Sequence, residues 1–194
     1  FDEVIRKWKM ENGKYNIVVV MGAGKSYLWA KEIASTLPAS FSDLTTFKAG
    51  GKIKYYFEVA KEGEIEKVFS FAKTKNLPVF ILGGGSDILV SGKNFDGVVV
   101  KYIGNSYKID GEFVTAEAGM EWDDLVKLAV KENLQGLEAL SGIPGTVGAA
   151  PIQNIGAYGT EISDYFYKLE AFDLKRGGMI TFTRADNIRS IASA

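Results

Sequence analysis

The chain has 194 residues, a formal net charge of −1, 46% hydrophobic residues and 24% charged residues. This balance is typical of a globular protein with a buried core; it lacks the basic excess of nucleic-acid-binding proteins and any apolar run long enough to span a membrane. The chain contains no cysteine and no histidine, which excludes disulfides, cysteine nucleophiles, Ser-His-Asp triads and the common zinc sites. We expect no metal site.

The first 38 residues predict a small unit that is separate from the rest of the chain. The predicted elements are a helix at 2–11, a strand at 17–21 and a helix at 26–36. Such a unit is too small to fold alone, and the chain begins with Phe1 rather than Met. We therefore expect a piece of a longer chain, with an appendage at 1–38 and the main domain at 39–194.

The main domain opens with a strand–helix–strand pattern. Apolar and polar residues alternate over 53–59, apolar residues share one helix face over 65–72, and an apolar run follows at 79–82. This order favours two paired parallel strands joined by a right-handed crossover.

Further strands and one helix follow in the second half. The predicted elements are strands at 88–90 and 98–100 joined by a turn at 94–97, a strand at 112–117, a helix at 122–130, and a hairpin of 165–174 with 179–183. The mixture of helices and strands indicates the α+β class.

A glycine-rich turn follows the strand at 79–82. Three successive glycines, Gly83 to Gly85, let backbone amides turn toward one point, and Ser86 adds a hydroxyl donor. Such a turn can bind a diphosphate, although a plain flexible turn has the same composition. Asp87 would repel phosphates unless its carboxylate points away. Ile88 stands where a dinucleotide fingerprint needs its last glycine, so a Rossmann site is not indicated.

The segment 136–159 is rich in glycine and carries almost no charge. Its loop Ser141–Gly148 repeats the glycine chemistry, residues 149–152 offer an apolar wall, and Gln153 and Asn154 can contact the edge of a polar ring. This combination suits a flat heterocycle with an apolar body and a polar edge. A buried structural loop is the alternative.

These loops resemble the UDP-N-acetylenolpyruvoylglucosamine reductase family. The resemblance lies in Thr45-Thr46-Phe47-x-x-Gly50-Gly51, in 83–86, in 141–145 and in 153–159, and it covers residues 41–190. It implies an FAD-binding domain of the PCMH type, with two small α/β subdomains and, in this chain, a short N-terminal α/β appendage. It also implies FAD held without a covalent bond, which the absence of His and Cys permits. Separately, the turn at 18–24 is similar to the C-terminal end of UDP-N-acetylmuramate–L-alanine ligase, which suggests a fusion.

The resemblance implies a reaction in cytoplasmic peptidoglycan synthesis. The family passes a hydride from NADPH to the flavin and then to a UDP-linked amino-sugar enolpyruvyl ether. Arg189 is the candidate for the family's catalytic arginine, which polarises the enolpyruvyl carboxylate. The family's substrate domain would lie beyond Ala194, so we expect this chain to bind FAD but to turn over substrate poorly.

The resemblance assigns the remaining candidate residues to FAD, and the family usually has Asn where Asp87 stands. The candidates are Gly83, Gly84, Gly85, Ser86, Asp87, Ile88, Gly119, Ser141, Gly142, Ile143, Pro144, Gly145, Gly148, Ala149, Ile152, Gln153, Asn154, Gly156, Ala157 and Tyr158. Two alternatives stay open: another PCMH-type flavin oxidase, acting on a sugar or an alcohol, or a non-catalytic binding or assembly module.

Overall fold

The computed structural model describes residues 39–186. The predictions for 1–38 and for Arg189 lie outside these residues. The helices are α1 (Phe41–Leu44), α2 (Glu62–Thr74), α3 (Trp122–Lys131) and α4 (Ala150–Gln153), with 3-10 turns at Glu138–Leu140, Ile162–Asp164 and Arg184–Asp186. The strands are β1 (Ile53–Val59), β2 (Val79–Leu82), β3 (Phe95–Tyr102), β4 (Tyr107–Asp110), β5 (Phe113–Ala116), β6 (Gly156–Ala157), β7 (Thr160–Glu161), β8 (Lys168–Asp173) and β9 (Gly178–Thr183). Within 39–186, no helix combines the length and the apolar character that a membrane span requires.

A three-stranded parallel sheet forms the first half, in the order β1-β3-β2. The predicted strand–helix–strand unit is confirmed, but the expected direct pairing of its two strands is wrong, because β3 lies between them. The run Val98–Val100 is buried, at 0 to 3% exposed. A continuous apolar run of this kind suits a central strand that is covered on both faces.

The region before β3 also differs from the sequence-based expectation. The predicted strand at 88–90 is irregular, and the predicted turn at 94–97 contains the start of β3. The amide of Phe95 donates to the carbonyl of Lys52 (2.8 Å), which extends the ladder between β1 and β3. Ile88 and Val90 instead pack their side chains against the apolar cluster around Phe41, without strand pairing.

The second half packs around α3. This helix appears where it was predicted and buries Trp122, Leu125, Val126 and Ala129. The predicted strand at 112–117 is confirmed as β5, and it pairs with β4, which was not predicted. The predicted hairpin is confirmed as β8 and β9, although β8 begins only after the 3-10 turn at Ile162–Asp164.

The apolar core divides into three clusters. Two cover the opposite faces of the parallel sheet, one with α2 and the other with Phe41 of α1. The third surrounds Trp122 and Leu140. This arrangement leaves the C-terminal end of β2 open, and the glycine turn begins there.

Candidate functional site

A small cleft lies between the glycine turn after β2 and the loop that precedes α4. It encloses about 80 Å³, far below the 300–1,000 Å³ of drug-sized ligand pockets, so it can enclose only part of a dinucleotide. The cleft is lined by Phe80, Ile81, Leu82, Gly83, Gly84, Gly85, Ser86, Asp87, Ile88, Trp122, Pro144, Gly145, Thr146, Ala149, Ala150, Gln153 and Ile155.

The two loops touch through backbone atoms. A Cβ atom on Gly84 would lie 3.0 Å from the Cα of Gly145, which is closer than side-chain carbons ordinarily pack. Gly85 has φ +69°, and a Cβ there would overlap the carbonyl oxygen of Leu44. The Gly85 carbonyl also accepts from the amide of Thr46 (2.9 Å). The glycine turn is therefore held in one conformation that a side chain would disturb.

Backbone amides on both sides of the cleft are free. Within residues 39–186, the N–H groups from Gly84 to Asp87, and those of Gly145 and Thr146, donate no hydrogen bond to another protein group. Clustered free amides form an anion-binding concavity, because each carries a partial positive charge. The cleft therefore suits the oxygen atoms of a phosphate or diphosphate.

Two adjacent residues at the start of α3 hold the second loop. The amide of Trp122 donates to the carbonyl of Gly145 (2.9 Å), and its indole Nε1 donates to the carbonyl of Leu140 (2.9 Å). Asp123 Oδ1 accepts from the hydroxyl of Ser141 (2.9 Å) and from the amide of Gly142 (2.8 Å). These four hydrogen bonds fix the loop from Leu140 to Gly145, where it enters the lining of the cleft.

The charge of Asp123 is stabilised by the same contacts. The amide of Gly142, then the ammonium of Lys127, which lies 3.0 Å from Oδ2, and the hydroxyl of Ser141 lower the pKa of Asp123 to about 2. The carboxylate consequently stays ionised at any pH near neutrality.

Ten of the sequence-predicted candidates line the cleft and ten lie outside its lining. Those in the lining are Gly83, Gly84, Gly85, Ser86, Asp87, Ile88, Pro144, Gly145, Ala149 and Gln153. The others are Gly119, Ser141, Gly142, Ile143, Gly148, Ile152, Asn154, Gly156, Ala157 and Tyr158. Each candidate remains a prediction as a cofactor contact.

Several candidates outside the lining have structural contacts of their own. The side-chain amide of Asn154 donates to Glu161 Oε2 (2.6 Å) and accepts from the amide of Ser163 (3.2 Å). Gly119 and Gly148 lie against backbone or Cβ atoms of neighbouring segments. Tyr158, by contrast, is 94% exposed, so its side chain is available to a partner group.

Three residues of the lining were not named among the individual candidates: Trp122, Thr146 and Ile155. The last two lie within the predicted glycine-rich segment 136–159. In the sequence, Trp122 belongs to the apolar face of the predicted helix at 122–130, which indicates a core residue and not a residue of a binding site. Thr146 lies inside the predicted loop Ser141–Gly148, and its hydroxyl, a hydrogen-bond donor in a glycine-rich loop, could have marked it as a candidate.

Comparison with known proteins identifies the domain. Residues 53–183 match the family described as FAD binding domain. The chain belongs to this family. The cofactor class expected from the resemblance, FAD, is thereby confirmed.

Curated relatives and solved structures agree with this assignment. The chain is 34% identical to a UDP-N-acetylenolpyruvoylglucosamine reductase of Streptomyces coelicolor over 76% of this chain and 39% of that protein. It is 42% identical to one of Ralstonia nicotianae over 73% of this chain and 43% of that protein. The chain thus spans about two fifths of the length of these relatives.

Two solved structures confirm the predicted α+β, PCMH-type fold. The UDP-N-acetylenolpyruvylglucosamine reductase (MurB) of Thermus caldophilus superposes with a TM-score of 0.65 and 27% identity, covering 77% of this chain and 53% of that chain. An alkyldihydroxyacetonephosphate synthase superposes with a TM-score of 0.55 and 16% identity, covering 99% of this chain and 37% of that chain. The second likeness concerns the fold alone.

The contacts of Asp123 predict a pH-dependent contribution to stability. Because its pKa is lowered on folding, the ionised carboxylate stabilises the native state above pH 4, and this contribution is lost as the pH falls from about 4 to about 2. Asp123→Asn should therefore lower the melting temperature at pH 7, and the difference from wild type should shrink toward pH 2. Thermal denaturation followed by circular dichroism at several pH values measures this. A difference that is constant from pH 7 to pH 2 would contradict the role of the charge.

Proposed function

We propose that this chain is the FAD-binding portion of an NADPH-dependent UDP-N-acetylenolpyruvoylglucosamine reductase of peptidoglycan synthesis, acting in the cytoplasm. The observation that carries the proposal is the pair of glycine loops that line one cleft at the end of a parallel strand and whose amides donate no hydrogen bond within the described residues. The names of the curated relatives support the same reductase.

In this proposal the two loops hold the diphosphate of FAD. The amides from Gly84 to Asp87 contact it from one side and the amides of Gly145 and Thr146 from the other, while the hydroxyl of Ser86 adds a donor. Ala149 and Ile155 provide an apolar wall next to this group. The enclosed volume fits a diphosphate better than a whole dinucleotide, so the adenosine and the ring system extend beyond it.

The chemistry of the reductase then divides between the cofactor and the protein. When bound, the flavin supplies hydride transfer from NADPH to the enolpyruvyl ether of a UDP-linked amino sugar. The residues of this chain bind and orient the flavin, and Arg189 is proposed to polarise the substrate carboxylate. Because hydride transfer needs a precisely held acceptor, we expect turnover to require residues that hold the substrate in addition to those that hold the flavin.

We further propose that residues 1–38 are the C-terminal remnant of a UDP-N-acetylmuramate–L-alanine ligase and that the reductase domain occupies 39–194. The glycine turn at 18–24 supports this assignment through its similarity to the end of the ligase. A ligase and a reductase that both act on UDP-linked cell-wall precursors would then share one polypeptide.

Titration of the purified 194-residue chain with FAD tests the proposal. We expect a yellow complex and a rise in melting temperature with FAD concentration, because a ligand that binds only the native state stabilises it. NADPH, and not an alcohol, should bleach the bound flavin. A chain that stays colourless and gains no stability from excess FAD would overturn the proposed function, and bleaching by an alcohol alone would favour a different oxidase.

Gly84→Val should weaken FAD binding by at least about tenfold. The new side chain meets the Cα of Gly145 and spreads the two loops, and a loss of this size corresponds to about 1.4 kcal/mol. Gly92→Val is the matched control, because Gly92 is exposed and a Cβ there meets nothing within 4 Å. Fluorescence titration with FAD measures both variants. Equal FAD affinities for the two variants would show that the loops do not grip the cofactor.

Asp87→Asn should tighten FAD binding. Asp87 is exposed, lines the cleft and makes no hydrogen bond or ion pair within the part of the chain described, so we expect its negative charge to repel phosphates. Removing one charge at short range in water is worth about 1 kcal/mol, or about fivefold in affinity.

The gain from Asp87→Asn should decrease at high salt, where charges are screened. Asp110→Asn removes the same charge from an exposed residue outside the cleft lining and serves as the control. Unchanged affinity in the Asp87 variant would mean that its carboxylate points away from the cofactor.

A further inference from the structure

Two polar side chains are buried within residues 39–186, and they differ in hydrogen bonding. Thr45 is 2% exposed and Thr146 is 5% exposed. The hydroxyl of Thr45 donates to the carbonyl of Ala49 (3.2 Å). The hydroxyl of Thr146 has no protein partner among the described residues. Because polar groups in protein interiors are nearly always hydrogen-bonded, this hydroxyl is left to bond a molecule from outside the protein.

The Thr146 hydroxyl opens into the cleft. Every fully enclosed side-chain nitrogen or oxygen in the described residues has a hydrogen-bond partner, so an unpaired hydroxyl must reach open space, and Thr146 lines the cleft. Its Oγ1 lies 3.4 Å from the position that a Cβ on Gly83 would take. The hydroxyl therefore faces the glycine turn with the free amides.

The backbone fixes Thr146 without using its hydroxyl. Its carbonyl accepts from the amides of Ala149 (3.0 Å) and Ala150 (3.1 Å) at the start of α4. The neighbouring bonds from Trp122 to Gly145 and from Val147 to Met120 bridge the loop to the segment before α3. With its backbone fixed and its side chain buried, Thr146 loses little freedom when a ligand arrives, which favours binding.

We propose that the Thr146 hydroxyl donates a hydrogen bond to a phosphoryl oxygen of the FAD diphosphate, opposite the amides of the glycine turn. This inference rests on the proposed function and adds a side-chain contact that discriminates phosphorylated flavins from riboflavin. A hydrogen bond to a charged oxygen is stronger than one between neutral groups. NADPH and UDP-sugars also carry diphosphates, so the test must separate them from FAD.

The test compares Thr146→Val with Thr146→Ser in the 194-residue chain. Valine keeps the shape and removes the hydroxyl, whereas serine keeps the hydroxyl. Loss of one hydrogen bond to a charged group should weaken FAD binding about 10- to 100-fold in the valine variant, and serine should restore affinity to within about threefold of wild type. Riboflavin, which has no phosphate, should bind all three proteins equally. Thr115→Val, at an exposed strand position outside the cleft, should bind FAD as wild type does.

Several outcomes would overturn this role of Thr146. They are wild-type FAD affinity in the valine variant, an equal loss of FAD and riboflavin binding, and a loss of NADP⁺ or UDP binding with FAD binding intact. If the valine variant fails to fold by circular dichroism, Thr146→Ala carries the same expectation. Failure of the wild-type chain to bind FAD would overturn the proposed function and this inference together, whereas failure of the inference alone leaves wild-type FAD binding in place.

Discussion

The site depends on the close approach of two backbone segments that lie far apart in the sequence. Gly84 lies so close to Gly145 that a side chain on Gly84 would collide with the backbone of Gly145. The amide of Trp122 donates a hydrogen bond to the Gly145 carbonyl and so fixes Gly145 in place. This contact turns two separate loops into a single concave surface. The parallel sheet carries one loop on the end of β2, and the cluster around Trp122 carries the other, so both halves of the core are needed to form the cleft.

The electrostatics of the cleft come from peptide dipoles rather than from charged side chains. Among the described residues that line it, none is Lys or Arg, and Asp87 is the one acidic residue. Free amides at fixed positions favour an anion without requiring a long side chain to be ordered. Trp122 and Asp123 fix the second of the two loops in advance, because their hydrogen bonds secure Leu140, Ser141, Gly142 and Gly145.

Much of the fold follows from local sequence patterns. Helices α2 and α3 carry clear apolar stripes, and the hairpin of β8 and β9 has a glycine turn, so all three could be predicted. The stretch at 88–90 has the composition of a strand, but the side chains of Ile88 and Val90 pack on the Phe41 cluster. Composition alone cannot tell an apolar segment that only packs its side chains from one that also pairs its backbone with a strand. Strand β4 was missed because its residues are largely exposed and polar.

The glycine content of the loops can be read from the sequence, whereas their geometry cannot. Residues 83–86 predicted either a diphosphate-binding turn or a plain flexible turn, but the contact with Gly145 depends on tertiary packing. The same limit applies to Thr146, whose burial and unpaired hydroxyl are properties of the folded chain.

The small enclosed volume of the cleft has a kinetic consequence. In the proposed binding mode the cleft encloses only the diphosphate at the centre of FAD, so none of the residues 39–186 has to move for the cofactor to depart. Differences in affinity lie mostly in the dissociation rate, so a cofactor held at its centre alone should exchange rapidly with FAD in the medium. Any further protein surface that covers the projecting ends would slow this exchange and thereby turn a loosely held coenzyme into a permanent prosthetic group.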